Sequence, residues 1–362
     1  MATNMKSSFS RNPCTTISPL PSGVKPGPNG IFLVSTGISY LDKILGGGIP
    51  LGTLVMIMED NEAPHHLLLL RNFMSQGLIH QQPLLYASPE KNPQAFLGTL
   101  PGLLISKSDK HESGSITDEA QEKNLRIAWQ YKKYCDEQQL DRTEDGRKQY
   151  CSDFDLRKPL ERKFLSRQYV DCMSIHDTPD LASIRERCFE FLAQFSRHKG
   201  PINCVGRVAI QSFCAPQSQY SNMDWKMLSF INSLRSTLRS SNAVCMITFP
   251  PSVLSLPFCT RWQHLADTLL SVKALPDEDK ELGRLLTDYN EMVGLLCINK
   301  VCRVNSQVPA VLDSTTFSLK LQRRKLLVLE CLNQAPVDGS GNNSSDISAS
   351  CSGSSKVSSL DF

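Results

Sequence analysis

The sequence predicts an α/β protein whose mostly parallel central sheet carries helices on both faces. Three observations lead there. Short apolar runs without alternation recur at residues 53–58, 83–88, 205–213 and 243–249, as expected of strands buried on both sides. Amphipathic stretches lie between several of them, at 64–80, 181–195 and 224–240. The spacing between successive runs leaves room for helical crossovers, which parallel strands require.

Taken in order, residues 1–30 are rich in Ser, Pro, Gly and Asn without periodicity and are expected to form a disordered N-terminal arm. The strand at 53–58 is followed by a helix over 64–80, with Leu67, Leu68, Leu70, Phe73 and Met74 on one face. A strand at 83–88 and a short helix at 92–98 come next. Residues 106–167 break the rhythm with mixed charges and read as an insertion, with partial helix around 122–134. Thr178, Pro179 and Asp180 then form a helix start: an N-cap, a proline in the first turn and a favourable acidic group. Strands at 265–275, 293–304 and 317–330 close the pattern as a hairpin system at one sheet edge. The expected domain runs over 31–335, and 336–362 is a Ser/Gly-rich disordered tail.

Composition excludes several classes. The net charge of +3 among 362 residues permits a local basic patch but does not require nucleic acid. The 13 cysteines include no CxxC pair, and Cys297 and Cys302 have no partner set at zinc-ligand spacing. Neither a structural zinc nor a disulfide framework is expected, in keeping with a reducing compartment. Residues 1–12 lack the apolar core of a secretory signal, and no run approaches the ~20 apolar residues of a membrane span.

The turn after the first buried strand carries the sharpest signal. A phosphate-binding loop of the G-x-x-x-x-G-K-[ST] kind cradles phosphate on backbone N–H groups, with a lysine for charge and a hydroxyl for magnesium. Here the window reads Glu59, Asp60, Asn61, Glu62, Ala63, Pro64, His65, His66. Glu59 and Pro64 stand where glycines belong, His65 replaces the lysine and His66 the hydroxyl. Glu59, Asp60 and Glu62 would repel a polyphosphate, and Pro64 removes a donor. These carboxylates are expected to cap the helix start instead. On the strand over 205–213, Gln211 stands where a magnesium-linked aspartate is expected. Adjacent histidines on a helix diverge by about 100°, so His65 and His66 are expected to cap or face solvent rather than bind one metal. No catalytic residue, metal or cofactor is expected.

The segment leading into this loop contains Thr36-Gly37, Leu41-Asp42 and Gly46-Gly47-Gly48-Ile49-Pro50. It closely resembles the segment before the phosphate loop in RecA/RadA/KaiC-type ATPases. Together with the degenerate loop, residues 125–131 and Phe154-Asp155-Leu156, it is similar to the PAXNEB family of Elongator fourth subunits, over roughly 31–332. That resemblance implies a RecA-like P-loop-NTPase-type fold with a degenerate P-loop. It implies assembly with the fifth and sixth subunits into a hetero-hexameric ring that binds tRNA and supports the catalytic Elongator subunits. Those use acetyl-CoA and radical chemistry to begin carboxymethyl-type modification of wobble uridines. ATP hydrolysis has been associated with such rings, and this sequence supplies no mechanism for it. Cytoplasm and nucleus are the expected compartments, with no membrane partner.

In RecA-like rings the loops after the central strands face the pore, here 214–222 and 250–262. Arg261 and Trp262 place a cation beside an aromatic, suited to phosphate contact and base stacking; the alternative is a core tryptophan beside a surface charge. The densest basic run holds Arg157, Lys158, Arg162, Lys163 and Arg167, and Arg323-Arg324-Lys325 is the next. Either run meets tRNA phosphates or is a solvated face. Two other functional classes remain: an active recombinase- or clock-type ATPase, and a protein-interaction scaffold without RNA contact.

Overall fold

Among the described residues, nine strands form the main sheet. The computed structural model describes residues 20–104, 149–165, 169–176, 180–197, 202–275, 291–305, 312 and 314–332. In chain order these hold β1 (Val24–Pro26), β2 (Phe32–Val34), α1 (Ser39–Ile44), β3 (Ile49–Pro50), β4 (Leu54–Met58), α2 (His66–Ile79), β5 (Leu84–Ser88), α3 (Pro93–Leu97) and β6 (Pro101–Leu103). Then follow β7 (Phe154–Pro159), β8 (Val170–Ser174), α4 (Leu181–Ala193), β9 (Gly206–Ile210), α5 (Asp224–Arg239) and β10 (Ala243–Phe249). The last are α6 (Leu256–Leu265), β11 (Thr268–Ala274), β12 (Met292–Lys300), β13 (Thr316–Gln322) and β14 (Leu326–Cys331).

The main sheet has the order β14-β13-β12-β11-β4-β10-β9-β5-β8, and its six strands from β11 to β8 are parallel. The three beyond β11 are antiparallel, as the expected hairpin edge requires, but the single strand expected over 317–330 is two, β13 and β14, joined by a turn at 323–325. The continuous apolar runs have the predicted cause. Along β4, Val55 and Ile57 join one core while Leu54 and Met56 join the other. β10 alternates likewise, Val244 and Met246 against Cys245 and Ile247. α1, α2 and α3 cover the first face and α4, α5 and α6 the second. Helix ends follow simple electrostatics and sterics: Asp224 opens α5 and Arg239 closes it, and prolines stand in the first turns of α3 and α6.

The chain leaves β4 through α2 on one face, and leaves β9 and β10 through α5 and α6 on the other. That reversal makes the carboxyl ends of β4 and β10 a topological switch point, where α/β sheets bind ligands in a crevice.

Several expectations need correction. The arm assigned to 1–30 overreaches, because β1 pairs antiparallel with β2. The insertion assigned to 106–167 ends too late. Residues 154–159 are β7, which pairs with β6, and Leu156 N–H donates to the Lys325 carbonyl at 2.9 Å. β8 was missed because Val170-Asp-Cys-Met-Ser174 is short, mixed and half-buried, as an edge strand is. The loop expected over 250–262 is mostly α6, which also takes up Leu265 from the strand expected over 265–275. The partial helix at 122–134, Arg167, Thr178, Pro179 and the tail at 336–362 lie outside the described residues.

Candidate functional site

The loop after β4 enters the crevice, and its side chains are occupied by the protein itself. Ser212 Oγ donates to Glu59 Oε1 at 2.9 Å, and Glu59 N–H donates to the Phe249 carbonyl at 2.9 Å. Asp60 Oδ2 accepts the Ala274 N–H at 2.6 Å, and Asn61 Oδ1 accepts the Ser252 hydroxyl at 2.7 Å. One short loop thus stitches together the ends of β9, β10 and β11. Glu62 and Pro64 face solvent. The expectation that carboxylates cap α2 fails. No described side chain caps its first turn, and Glu59 and Asp60 are spent on neighbouring strands instead.

The two histidines diverge. His65 packs on β12, where a Cβ at Gly294 would come within 2.6 Å of its ring. His66 turns inward, its Nε2 at 3.7 Å from Glu59 Oε1 with both side chains 8% exposed. Burial pushes the His66 pKa down to about 4 and raises that of Glu59 against the opposing hydrogen bonds of Thr248 and Ser212. The contact is therefore no ion pair at neutral pH. Gln211 is buried as well, its Oε1 accepting the hydroxyls of Tyr86 and, at 3.3 Å, Ser88.

A pH dependence follows. In the unfolded chain His66 titrates near 6.5, in the folded chain near 4. Between these values the unfolded state binds a proton that the folded state refuses, so stability falls as pH drops through this window and is level above it. Glu59 works oppositely, gaining stability as pH falls through its raised value. His66→Gln should reduce the loss in urea midpoint stability between pH 6.5 and 5 by about 1–2 kcal/mol. An unchanged pH profile would show that the imidazole is not held neutral.

The segment ahead of the loop is built around Asp42. This buried carboxylate accepts Ser35 Oγ at 2.5 Å and both Thr36 N–H and Thr36 Oγ1 at 2.7 Å. Gly37 has φ +83°, and a Cβ there would lie 2.5 Å from the Asn72 carbonyl oxygen. The matched motif residues thus position β3 and β4 and do not open onto the crevice.

Of the two readings of Arg261 and Trp262, the structure shows the core tryptophan beside a surface charge. Trp262 is fully buried against Phe213 and Phe249. Arg261 instead lies over the rings of Trp225, at 4.7 Å, and Phe258, at 5.3 Å. Trp225 is 65% exposed. Trp225 stands in the first turn of α5 beside Asp224, a position that sequence periodicity alone does not mark as exposed.

The two basic runs converge. The Leu156–Lys325 backbone bond places Arg157 and Lys158 beside the β13–β14 turn that carries Arg323 and Arg324. All four are exposed. Arg323 and Arg324 have φ of 52° and 55°, a conformation that glycine or asparagine adopts more readily. Arg162 and Lys163 follow on a short 3₁₀ turn, also exposed, with Lys163 paired to Glu161 at 2.6 Å. Sequence spacing gives no hint of this juxtaposition, since 165 positions separate Lys158 from Arg323.

Fold and site together define an α/β protein with a mostly parallel sheet and an acidic, self-stitched loop at its switch point. The chain belongs to the PAXNEB family, whose model, PAXNEB protein, matches residues 17–362. It is 29% identical over 344 residues to Elongator complex protein 4 of Mus musculus, covering 87% of this chain and 80% of that one. It is 26% identical over 342 residues to Elongator complex protein 4 of Dictyostelium discoideum, covering 85% and 76%. Against Elongator complex protein 4 of Homo sapiens it is 26% identical over 364 residues, covering 93% and 82%.

Proposed function

We propose that this chain is a non-catalytic, RecA-like subunit of an Elongator complex. It assembles with the related fifth and sixth subunits into a hetero-hexameric ring and, with the catalytic subunits, supports wobble-uridine modification of tRNA in cytoplasm and nucleus. The observation that carries the reading is the switch-point loop. Its carboxylates take the hydrogen bonds of Ser212 and Ala274 where a nucleotide-binding fold presents empty donors. The strand order β11-β4-β10-β9-β5 supports the RecA-like assignment.

Titration with a fluorescent ATP analogue and magnesium is expected to show no micromolar binding to the isolated chain. Native mass spectrometry after co-expression with the two related subunits should give one closed species containing all three. Magnesium-dependent micromolar binding lost on changing Glu59 or His65 overturns the non-catalytic reading, and a chain that stays monomeric overturns the assembly. The tRNA surface falls on Arg157, Lys158, Arg323 and Arg324, with Arg261 and Trp225 as a separate stacking point. Reversing Arg157 and Arg324 together should weaken tRNA binding by the ring at least tenfold. It should also lower the slope of log affinity against log salt by about 2. An unchanged slope in filter binding removes that surface from the tRNA path.

A further inference from the structure

At the opposite end of β4 from the acidic loop, a cavity of about 540 Å³ opens between α5, β11 and β12. Among the described residues its walls include Arg235, Arg239, Lys300 and Arg303, and one acid, Asp267. Asp267 is 6% exposed and its carboxylate is engaged on every side. Oδ2 accepts the Leu54 N–H at 2.9 Å. Oδ1 accepts Arg235 Nε at 3.1 Å, Arg235 Nη2 at 2.8 Å and Arg239 Nη2 at 3.0 Å.

Asp267 thus works as a clamp. It fixes two guanidinium groups side by side at the start of β11, and each keeps N–H donors beyond those the clamp uses. Lys300 Nζ is set in place by the carbonyls of His264, at 3.1 Å, and Ala266, at 2.5 Å, with a third proton left over. Arg303 stands exposed at the rim. Holding Asp267 needs one cation, and the described residues of the cavity present four. Burial lowers the Lys300 pKa, Asp267 opposes it, and Arg235 and Arg239 add smaller lowering contributions. Cations gathered in one cavity repel each other unless an anion joins them.

We propose that this cavity binds a phosphate group, presented by an RNA backbone or by a free phosphorylated compound. Forked guanidinium donors held in a fixed pair match phosphate oxygens in geometry as well as charge. The volume suits a ligand of nucleotide size. The site lies at the amino ends of the parallel strands, away from the switch-point crevice and from the β13–β14 turn. Its occupancy does not depend on the ring reading.

The test uses the full-length chain, with a fluorescein-labelled 12-nucleotide oligouridylate followed by anisotropy and inorganic phosphate followed by calorimetry. Arg303→Glu lies outside the Asp267 clamp, and Arg239→Gln removes one clamped cation. Melting temperature confirms that both variants fold. Binding of either probe by the wild type, weakened at least tenfold by both variants, supports the site. Oligonucleotide binding that competes with phosphate assigns the RNA backbone, and phosphate binding alone assigns a free phosphorylated compound. Binding that neither folded variant alters, or none of either probe to the wild type up to 10 mM phosphate (roughly the range of weak anion sites), overturns the proposal.

Discussion

Replacing Arg207 with leucine is expected to cost about 3–5 kcal/mol, enough to leave much of the protein unfolded at 37 °C. Arg207 sits on β9 with no exposed surface. Its guanidinium donates to Gln82 Oε1 at 2.6 Å, to the Ser35 carbonyl at 3.0 Å and to the Phe73 carbonyl at 2.9 Å, and lies 4.6 Å from the Phe73 ring centre. Burial lowers its pKa to about 10, against the pull of Tyr150 and Asp42, so it remains charged at pH 7. Exchanging a whole buried ion pair for apolar residues can be harmless. Removing only the cation is not, because Gln82 and two carbonyls then lose their donor while Asp42 loses a nearby charge. α2 has adapted to this side chain, since a Cβ at Gly77 would overlap Arg207 Cδ. Gly77→Ala should therefore destabilise the wild type and cost much less in the Arg207→Leu background. Urea midpoints of the four proteins in this cycle give the coupling directly. A single-mutant loss below about 1 kcal/mol, or simple additivity with Gly77→Ala, would remove Arg207 as the joint between β9 and α2.

How far the sequence reaches is decided by what each signal depends on. β4 and β10 were legible because burial on both faces leaves an unbroken apolar run in the chain itself. The loop after β4 stood out because three carboxylates, a proline and two histidines sit together at the end of a buried strand. What was hidden depends on contacts distant in sequence. Nothing local in Arg157 or Arg324 says that β7 lies against the β13–β14 turn. Trp262 and Trp225 are both tryptophans near a basic residue, and only tertiary packing decides that the first fills the core while the second stands out. Even the capping role given to Glu59 and Asp60 was sound for an isolated helix. It failed because Ser212 and Ala274, more than 150 residues away, compete for the same oxygens.

Asp42→Ala is expected to cost about 2–4 kcal/mol, with Asp42→Asn near half of that. α1 has six residues, too few to persist unaided, so its place is set by its surroundings. The Asp42 carboxylate gathers three donors from Ser35 and Thr36, and its own carbonyl accepts the Gly47 N–H at 2.7 Å. One residue therefore closes the loop before α1 and anchors the glycine turn after it. Burial raises the Asp42 pKa against these hydrogen bonds, so the carboxylate is desolvated and each lost donor is felt. Asparagine keeps one acceptor but turns an amide N–H₂ toward donors, which explains the intermediate cost. The alanine variant should lose hydrogen-exchange protection at Thr36 and Gly47 well before β10 does. Below its midpoint it should still assemble with its partner subunits. If instead stability holds within 0.5 kcal/mol (about the scatter of surface substitutions) while assembly is lost, the motif acts at an interface. In that case its resemblance to ATPase sequences would reflect contacts between subunits rather than the folding of β3 and β4.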